Sequence, residues 1–548
     1  MVNASSALVS LFFSARLNTM FQGRFRGACI FLALALAACH PATRSENNTL
    51  RRALSGEPST LDPLRAADYF SNEVLRDLYE GLVGESPTGE VIPGVSTRWT
   101  ISPDGLRYIF TIRPNAAWSN GKPLRAQDFV SSWQRVVDPT VASPGADDLR
   151  MIRGASDIIS GNSAPSTLAA HAINDTTLLV ELEHPAPYFL QLLAHSSAFP
   201  VYSDLSAGSH SSSTWVSNGA YVLQSWSPGA EIVLAKNPSY WDREHVAIPK
   251  VRFLLIPDEN SQYARFRGEQ LDLTDSVPPS VVGTLPAERQ NELVVSPFLA
   301  TAYYGLNLAA EPFRSNVNLR QALAMALNRR QITASLKFGQ PPAFGMVPPG
   351  TSNYSSQSWH WKDLGDEERI AEARKLYAAA GYSAARPLHL RLLYNSNPVI
   401  KNVVVASASM WKAVLGVDTE LAEEEYRVFL DSRHDKSRWD VARFAWTADF
   451  NDASNFLDIF RRASTNNDEG FADDQFEELL DAASAASDPQ IRRMLLQRSE
   501  QLLLDDYPVI PIYFFVSKRL VKPNLNGVQS NPLNHVASKF LSFADQGP

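Results

Sequence analysis

Short runs of alternating apolar and polar residues, broken by turn residues, fill much of the chain. In Arg107-Tyr-Ile-Phe-Thr-Ile-Arg113, Tyr108, Phe110 and Ile112 share one side, the period of a half-buried strand. Ser102-Pro-Asp-Gly105 ahead of it reads as the turn of a hairpin. Thr177–Leu182, Ile232–Leu234 and Val251–Ile256 are further strand candidates. Pro508–Val516 reads as a buried strand interrupted by Pro511. Phe129, Trp133 and Val136 instead recur at helical spacing.

Two longer helices carry start and stop signals. One is predicted over Glu367–Ala380, with acids in its first turn, Ile370, Ala373, Tyr377 and Ala380 on one face, and Gly381 as the stop. The other starts at Asp488 with Pro489 in the first turn and carries Ile491, Leu495, Arg498 and Leu502 on its expected inner face. Strands and helices are mixed throughout, which fits an α/β or α+β architecture.

Composition narrows the class. Hydrophobic residues make up 45% and charged residues 20% of 548, so the chain is globular. Single cores stop growing at roughly 250–300 residues, so two or three lobes are expected. The net charge of −8 argues against a nucleic-acid partner.

The amino terminus reads as an export signal rather than part of the fold. Arg24 and Arg26 precede the apolar run Ile30–Ala38, which is too short to span a bilayer. Leu36-Ala-Ala-Cys39 has the form of a lipobox, in which Cys39 becomes the lipidated first residue. Residues 1–38 are thus expected to be a lipoprotein signal peptide, with Met20 an alternative start of normal signal length. This segment holds three arginines and no acid, so the charge of the rest is −11. Cys29 and Cys39 are the two cysteines, so no disulfide is expected after processing.

Motifs for chemistry are missing. There is no phosphate loop, dinucleotide fingerprint, His-Glu-x-x-His or Gly-x-Ser-x-Gly. The ten histidines are scattered. Asp449-Phe-Asn-Asp452 invites a calcium site but lacks the glycine turn and the distal glutamate. No catalytic residue, metal or cofactor is therefore expected.

Several segments carry a resemblance when taken in order: Asp77–Val83, Ser102–Gly105, Trp118-Ser-Asn-Gly-Lys-Pro-Leu-Arg-Ala-Gln-Asp-Phe-Val130, Asn218–Tyr221, Asn237–Trp241, Asp440-Val-Ala-Arg443 and Trp446-Thr-Ala-Asp449. Together they resemble the family 5 solute-binding proteins of ABC importers, and within them the oligopeptide-binding members. The resemblance implies a two-lobed α/β fold of the periplasmic-binding-protein kind (class II), with an extra inserted domain and a hinge. Domain I would comprise residues 40–79, 199–299 and 517–548, domain II residues 80–198, and domain III residues 300–516. The Trp118–Val130 stretch is then expected to shape domain II rather than to touch ligand.

The resemblance also implies a site for short peptides. Asp449 would hold the peptide's amino terminus. Arg443, with Arg433 and Lys337 as weaker candidates, would hold its carboxylate. Trp446, Tyr303, Tyr304 and Phe515 would wall the pocket, and each could equally be a core residue. Relatives carry a histidine where Ile400 stands, a tyrosine at Phe515, and paired cysteines at Ala300 and Thr447. Expected partners are short peptides, the permease subunits of an ABC transporter and a lipid anchor on a membrane facing the periplasm; a monomer is expected. Murein peptides are the alternative cargo, and a secreted hydrolase is the remote alternative.

Overall fold

The computed structural model describes residues 48–202, 215–337 and 339–544. The export signal, Cys29, Cys39 and nearly all of the tether lie outside the described residues. Among those residues, no helix is long and apolar enough to cross a membrane.

The first lobe contains two four-stranded sheets. One orders Thr49–Leu54, Lys250–Leu255, Glu231–Lys236 and Tyr221–Ser227; the other orders Ser96–Ile101, Arg107–Ile112, Thr177–Glu181 and Ala170–Asn174. Tyr108, Phe110 and Ile112 are buried, as the alternation predicts. Gly105 closes the hairpin at φ 71°, where a Cβ would be strained, and its N–H donates to Ser102 O at 2.8 Å. One continuous core links the sheets through Leu50, Phe110, Trp133, Tyr221 and Phe253.

The Trp118–Val130 stretch is braced largely by its own hydrogen bonds, with Ser119 also tied to Ser217 and Ala126 to Asp175. Gly121, at φ 82°, donates to Trp118 O, and Trp118 N–H donates to Lys122 O. The Trp118 indole and the Arg125 N–H both donate to Asp128 Oδ2, at 3.3 and 2.8 Å. Asp128 thereby caps the helix Ala126–Val137, which buries Phe129, Trp133 and Val136. The indoles of Trp118 and Trp133 are sealed in the core.

The second lobe is built on a five-stranded sheet ordered Asp418–Glu424, His389–Asn395, Val441–Thr447, Leu293–Leu306 and Val509–Leu520. Successive residues supply its two faces: Tyr304 and Leu392 enter one core, Tyr303 and Leu393 the other. Leu293–Leu306 and Val509–Leu520 also pass between the lobes. Leu520 belongs to a first-lobe core with Ala53 and Phe266, whereas Ile510 and Ile512 belong to the second lobe. The ladder shifts register between Pro297 and Thr301, and again beside Pro511. These two strands thus run from one lobe into the other.

The two long helices form as Asp366–Ala379 and Pro489–Asp506. Asp488 caps the second, accepting from Gln490 and Ile491 N–H. Its inner face, however, lies one residue on from the expected one. Ile491 is 50% exposed, and Arg492, Leu496, Ser499, Glu500 and Leu503 point inward. The reason is polar: Glu500 accepts from Met346 N, Val347 N, Gln357 N and the Tyr354 hydroxyl at 2.7–2.9 Å, pinning the loop that precedes the first helix. In the first helix Arg369 turns inward beside Ala373 and Tyr377, while Ile370 is half-buried.

Candidate functional site

Strand Val441–Thr447 has one open edge. It pairs with Leu293–Leu306 from Val441↔Leu306 to Thr447↔Ala300. On its other side it meets His389–Asn395 at Val441 and Ala442 only. Ala448 N–H donates to Leu299 O at 2.8 Å, so Thr447↔Ala300 is a non-hydrogen-bonded pair. The backbone groups of Arg443, Ala445 and Thr447 therefore point away from the paired side, toward the open edge. Their side chains share a face on which Ala445 and Thr447 are exposed and small, while Ala442 and Phe444 are buried. Such an edge can pair with an extended main chain regardless of sequence.

Opposite charges stand at the two ends of this edge. At one end Arg443 is half-buried, and its guanidinium donates to Asn395 Oδ1 at 3.4 Å. It borders a cavity of about 10 Å³, lined also by Tyr304, Ile400, Val404 and Tyr513, which is about the space of one water molecule. At the other end Asn455 organises the loop after the strand. Its Oδ1 accepts from the Trp446 indole at 3.0 Å and from Asp449 N–H at 3.2 Å, and its Nδ2 donates to Asp449 Oδ2 at 3.2 Å. Asp449 is solvent-accessible by surface area, yet surrounding protein pushes its carboxyl above the usual carboxylate range. The two observations agree if the carboxylate lines an enclosed but hydrated cleft.

The first lobe faces Asp449. Tyr188 stacks on Phe450, with centroids 4.6 Å apart, and the Arg492 guanidinium lies 5.6 Å from the Tyr188 ring. Arg492 is itself held by two hydrogen bonds to Asp452, at 2.7 and 2.9 Å. Asp452 is thereby committed to an ion pair, and Asn451 Oδ1 to Ser352 N–H. The charges of His195 and Asp148, both first-lobe residues, reach the Asp449 carboxyl.

The other expected residues are dispersed. Tyr303 is buried on one face of the sheet, stacked on Phe444. Tyr304 is buried on the opposite face, its hydroxyl 2.9 Å from Ser407 Oγ. Phe515 is half-buried against Tyr513, and Trp446 is half-buried beside the Asp449 loop. Arg433 lies 3.3 Å from Asp468, which also engages His434 and Lys436. Lys337 is exposed and ends the helix Arg329–Leu336 in a left-handed conformation, φ 61°. Sequence reasoning missed Asn455, Asn395, Tyr513, Tyr188, His195 and Asp148. Asn455, six positions after Asp449, and Tyr513, two before Phe515, lie near enough in sequence to have been suspected.

Comparison with known proteins follows the same lines. The family described as "Bacterial extracellular solute-binding proteins, family 5 Middle" matches residues 90–468. The chain is 36% identical over 521 residues to the periplasmic oligopeptide-binding protein OppA of Escherichia coli (strain K12), covering 93% of this chain and 95% of that one. Among solved structures it resembles the Escherichia coli murein tripeptide binding protein MppA, with TM-score 0.79 and 34% identity over 90% of this chain and 98% of that one. It also resembles Haemophilus influenzae OppA in complex with RPPGFSPFR, with TM-score 0.77 and 34% identity over 90% of this chain and 99% of that one.

Proposed function

The chain belongs to the family 5 bacterial extracellular solute-binding proteins, and from that premise we propose that it captures short peptides between its two lobes and delivers them to an ABC importer. The observation that carries this is the open edge at Arg443, Ala445 and Thr447, bounded by an arginine and an accessible carboxylate. A peptide added there as an extra strand would run antiparallel to Val441–Thr447, its ammonium at Asp449 and its carboxylate at Arg443. Charge-assisted hydrogen bonds at both ends are roughly twice as strong as neutral ones, so the termini anchor what the backbone aligns. The anchors lie six positions apart; at about 3.3 Å per residue that is roughly 20 Å, which fits peptides of about three to five residues once the arginine's reach is subtracted.

Specificity for side chains is expected to be weak, because the edge presents backbone groups and the facing side chains, Ala445 and Thr447, are small. Ligand contacts from both lobes would hold them closed, and the closed surface would be what the permease recognises. The division into domain I (residues 40–79, 199–299, 517–548), domain II (80–198) and domain III (300–516), and tethering through a lipid on Cys39 at the periplasmic side of a membrane, complete the proposal.

Murein peptides are a second cargo to weigh, given the likeness to a murein tripeptide binder. Their D residues and γ-glutamyl link would break regular pairing along the edge. Mass spectrometry of ligands that co-purify with the protein separates the two. Linear α-peptides of mixed sequence are expected; γ-linked peptides alone would replace the first cargo with the second.

A further inference from the structure

The amino-terminal end of the cleft contains more charge than one ammonium needs. Asp449 comes from the second lobe. Opposite it, on the first lobe, His195 Nδ1 lies 3.5 Å from Asp148 Oδ2 and 2.9 Å from Ser197 Oγ. Asp148 sits in the short turn Asp147–Leu149, and His195 just after the helix Phe189–Leu192. The side chains of His195 and Asp148 keep 21% and 30% of their surface accessible, so neither is sealed in a core. Burial alone would raise the Asp148 carboxyl; the hydrogen bond and charge of His195, and a bond from Ser197, hold it below the ordinary value instead. The charged groups that face His195 are thus Asp148 on its own lobe and Asp449 across the cleft.

Resting on the peptide reading above, we propose that Asp148 and His195 are the first lobe's half of the amino-terminal subsite, and that the incoming peptide ammonium takes the place of a proton on His195. Two carboxylates brought together as the lobes close repel each other unless a cation lies between them. Where His195 holds a proton, its imidazolium supplies that charge before ligand arrives. With peptide bound, the ammonium supplies it, keeps its three protons, and the imidazolium gives one proton to solvent. The cluster's net charge is the same before and after, so the exchange avoids burying a second cation beside the first. The neighbouring Tyr188–Phe450 stack joins the two lobes at this point, and the charges of Asp148 and His195 act on the Asp449 carboxyl.

The test uses the full chain and trialanine with free ends, by calorimetry in two buffers of different ionisation heat. Affinity should be about tenfold lower at pH 5.5 than at pH 7.5, and binding should release a fraction of a proton between those two values. In His195→Gln the pH ratio should shrink toward one. Asp148→Asn, which removes the ring's partner, should move the midpoint to lower pH. Retention of the tenfold ratio in His195→Gln overturns the proposal, because the titrating group is then Asp449 or another. So does the absence of proton release in the wild type, a result that holds even if the variants fold poorly. If trialanine binds at neither pH, the peptide reading itself fails and this inference with it; if it binds equally at both, only this inference fails.

Discussion

The Tyr188 ring of the first lobe lies flat on the Phe450 ring of the second, centroids 4.6 Å and planes 13° apart. Phe450 directly follows Asp449, so the stack sits beside the amino-terminal anchor. Arg492 covers the same tyrosine from the second lobe, 5.6 Å away. An aromatic pair contributes about 0.5–1.5 kcal/mol beyond area burial, and an exposed cation–π contact about 0.5–1 kcal/mol. Tyr188→Ala is therefore expected to weaken peptide binding by roughly five- to sixtyfold, since about 1.4 kcal/mol is a factor of ten. The unliganded melting temperature should change less. Small-angle scattering at saturating peptide should show full closure in the wild type; equal affinity in Tyr188→Ala would mean the stack forms without stabilising the closed state.

Asp449 and Asn455 should fail in different ways. Asp449→Ala removes the anion, and a hydrogen bond to a charged group is worth about 1.5–3 kcal/mol, so affinity for free-amine peptides should fall by roughly 10- to 100-fold. Asn455→Ala leaves the anion but frees both Asp449 and the Trp446 indole. Its loss should be smaller, and should come with a change in Trp446 fluorescence. Binding of an N-acetylated peptide to the wild type as tightly as its free form would remove Asp449 from the amino-terminal role.

The carboxylate end can be tested by pairing each peptide with its amide. Arg443 touches Asn395 Oδ1 and borders the small cavity at Ile400 and Tyr513. The wild type should prefer the free acid, and Arg443→Ala should lose most of that preference. Ile400→His adds a second potential cation at the same cavity. It is expected to strengthen binding of the peptide length whose carboxylate ends there, more at pH 5.5 than at pH 7.5. A preference that survives in Arg443→Ala would shift attention to Lys337, which is exposed, or to Arg433, which is already engaged with Asp468.

How much of this was legible in the sequence depended on whether a feature is local. The hairpin at Gly105 rests on contacts within a few residues, and turn chemistry signalled it in advance; the Asp128 cap is equally local, but only the helical spacing after it was read from the sequence. The family segments likewise pointed to Arg443 and Asp449. The helix after Asp488 was located by its cap, yet its inner face was misjudged. Apolar spacing favoured Ile491 and Leu495, whereas the buried side is set by Glu500 gathering hydrogen bonds from a loop some 150 positions earlier. The first-lobe half of the cleft was invisible for the same reason. Nothing near Tyr188, Asp148 or His195 in sequence tells of Phe450 or Asp449; only the folding of two lobes onto each other does.

Glu469 should make stability fall with rising pH. It is fully buried next to Gly305, and neither carboxyl oxygen has a hydrogen-bond partner. Burial, reinforced by the charge of Asp468, raises its pKa from 4.5 to about 8. The folded state therefore binds this proton more tightly than the unfolded state. Its contribution is fully present below about pH 4.5 and lost as pH climbs toward 8, by at most about 1.4 kcal/mol per pH unit. Glu500 is raised to about 7 and acts in the same direction, so the wild-type slope has two sources. Glu469→Gln keeps the shape and removes one of them. Between pH 5 and pH 8 the melting temperature should drop in both proteins, but less in the variant, and the variant should be relatively more stable at pH 8 than at pH 5. Parallel melting curves across that range would mean that the Glu469 carboxyl titrates at its ordinary pH and that water reaches it in the folded protein.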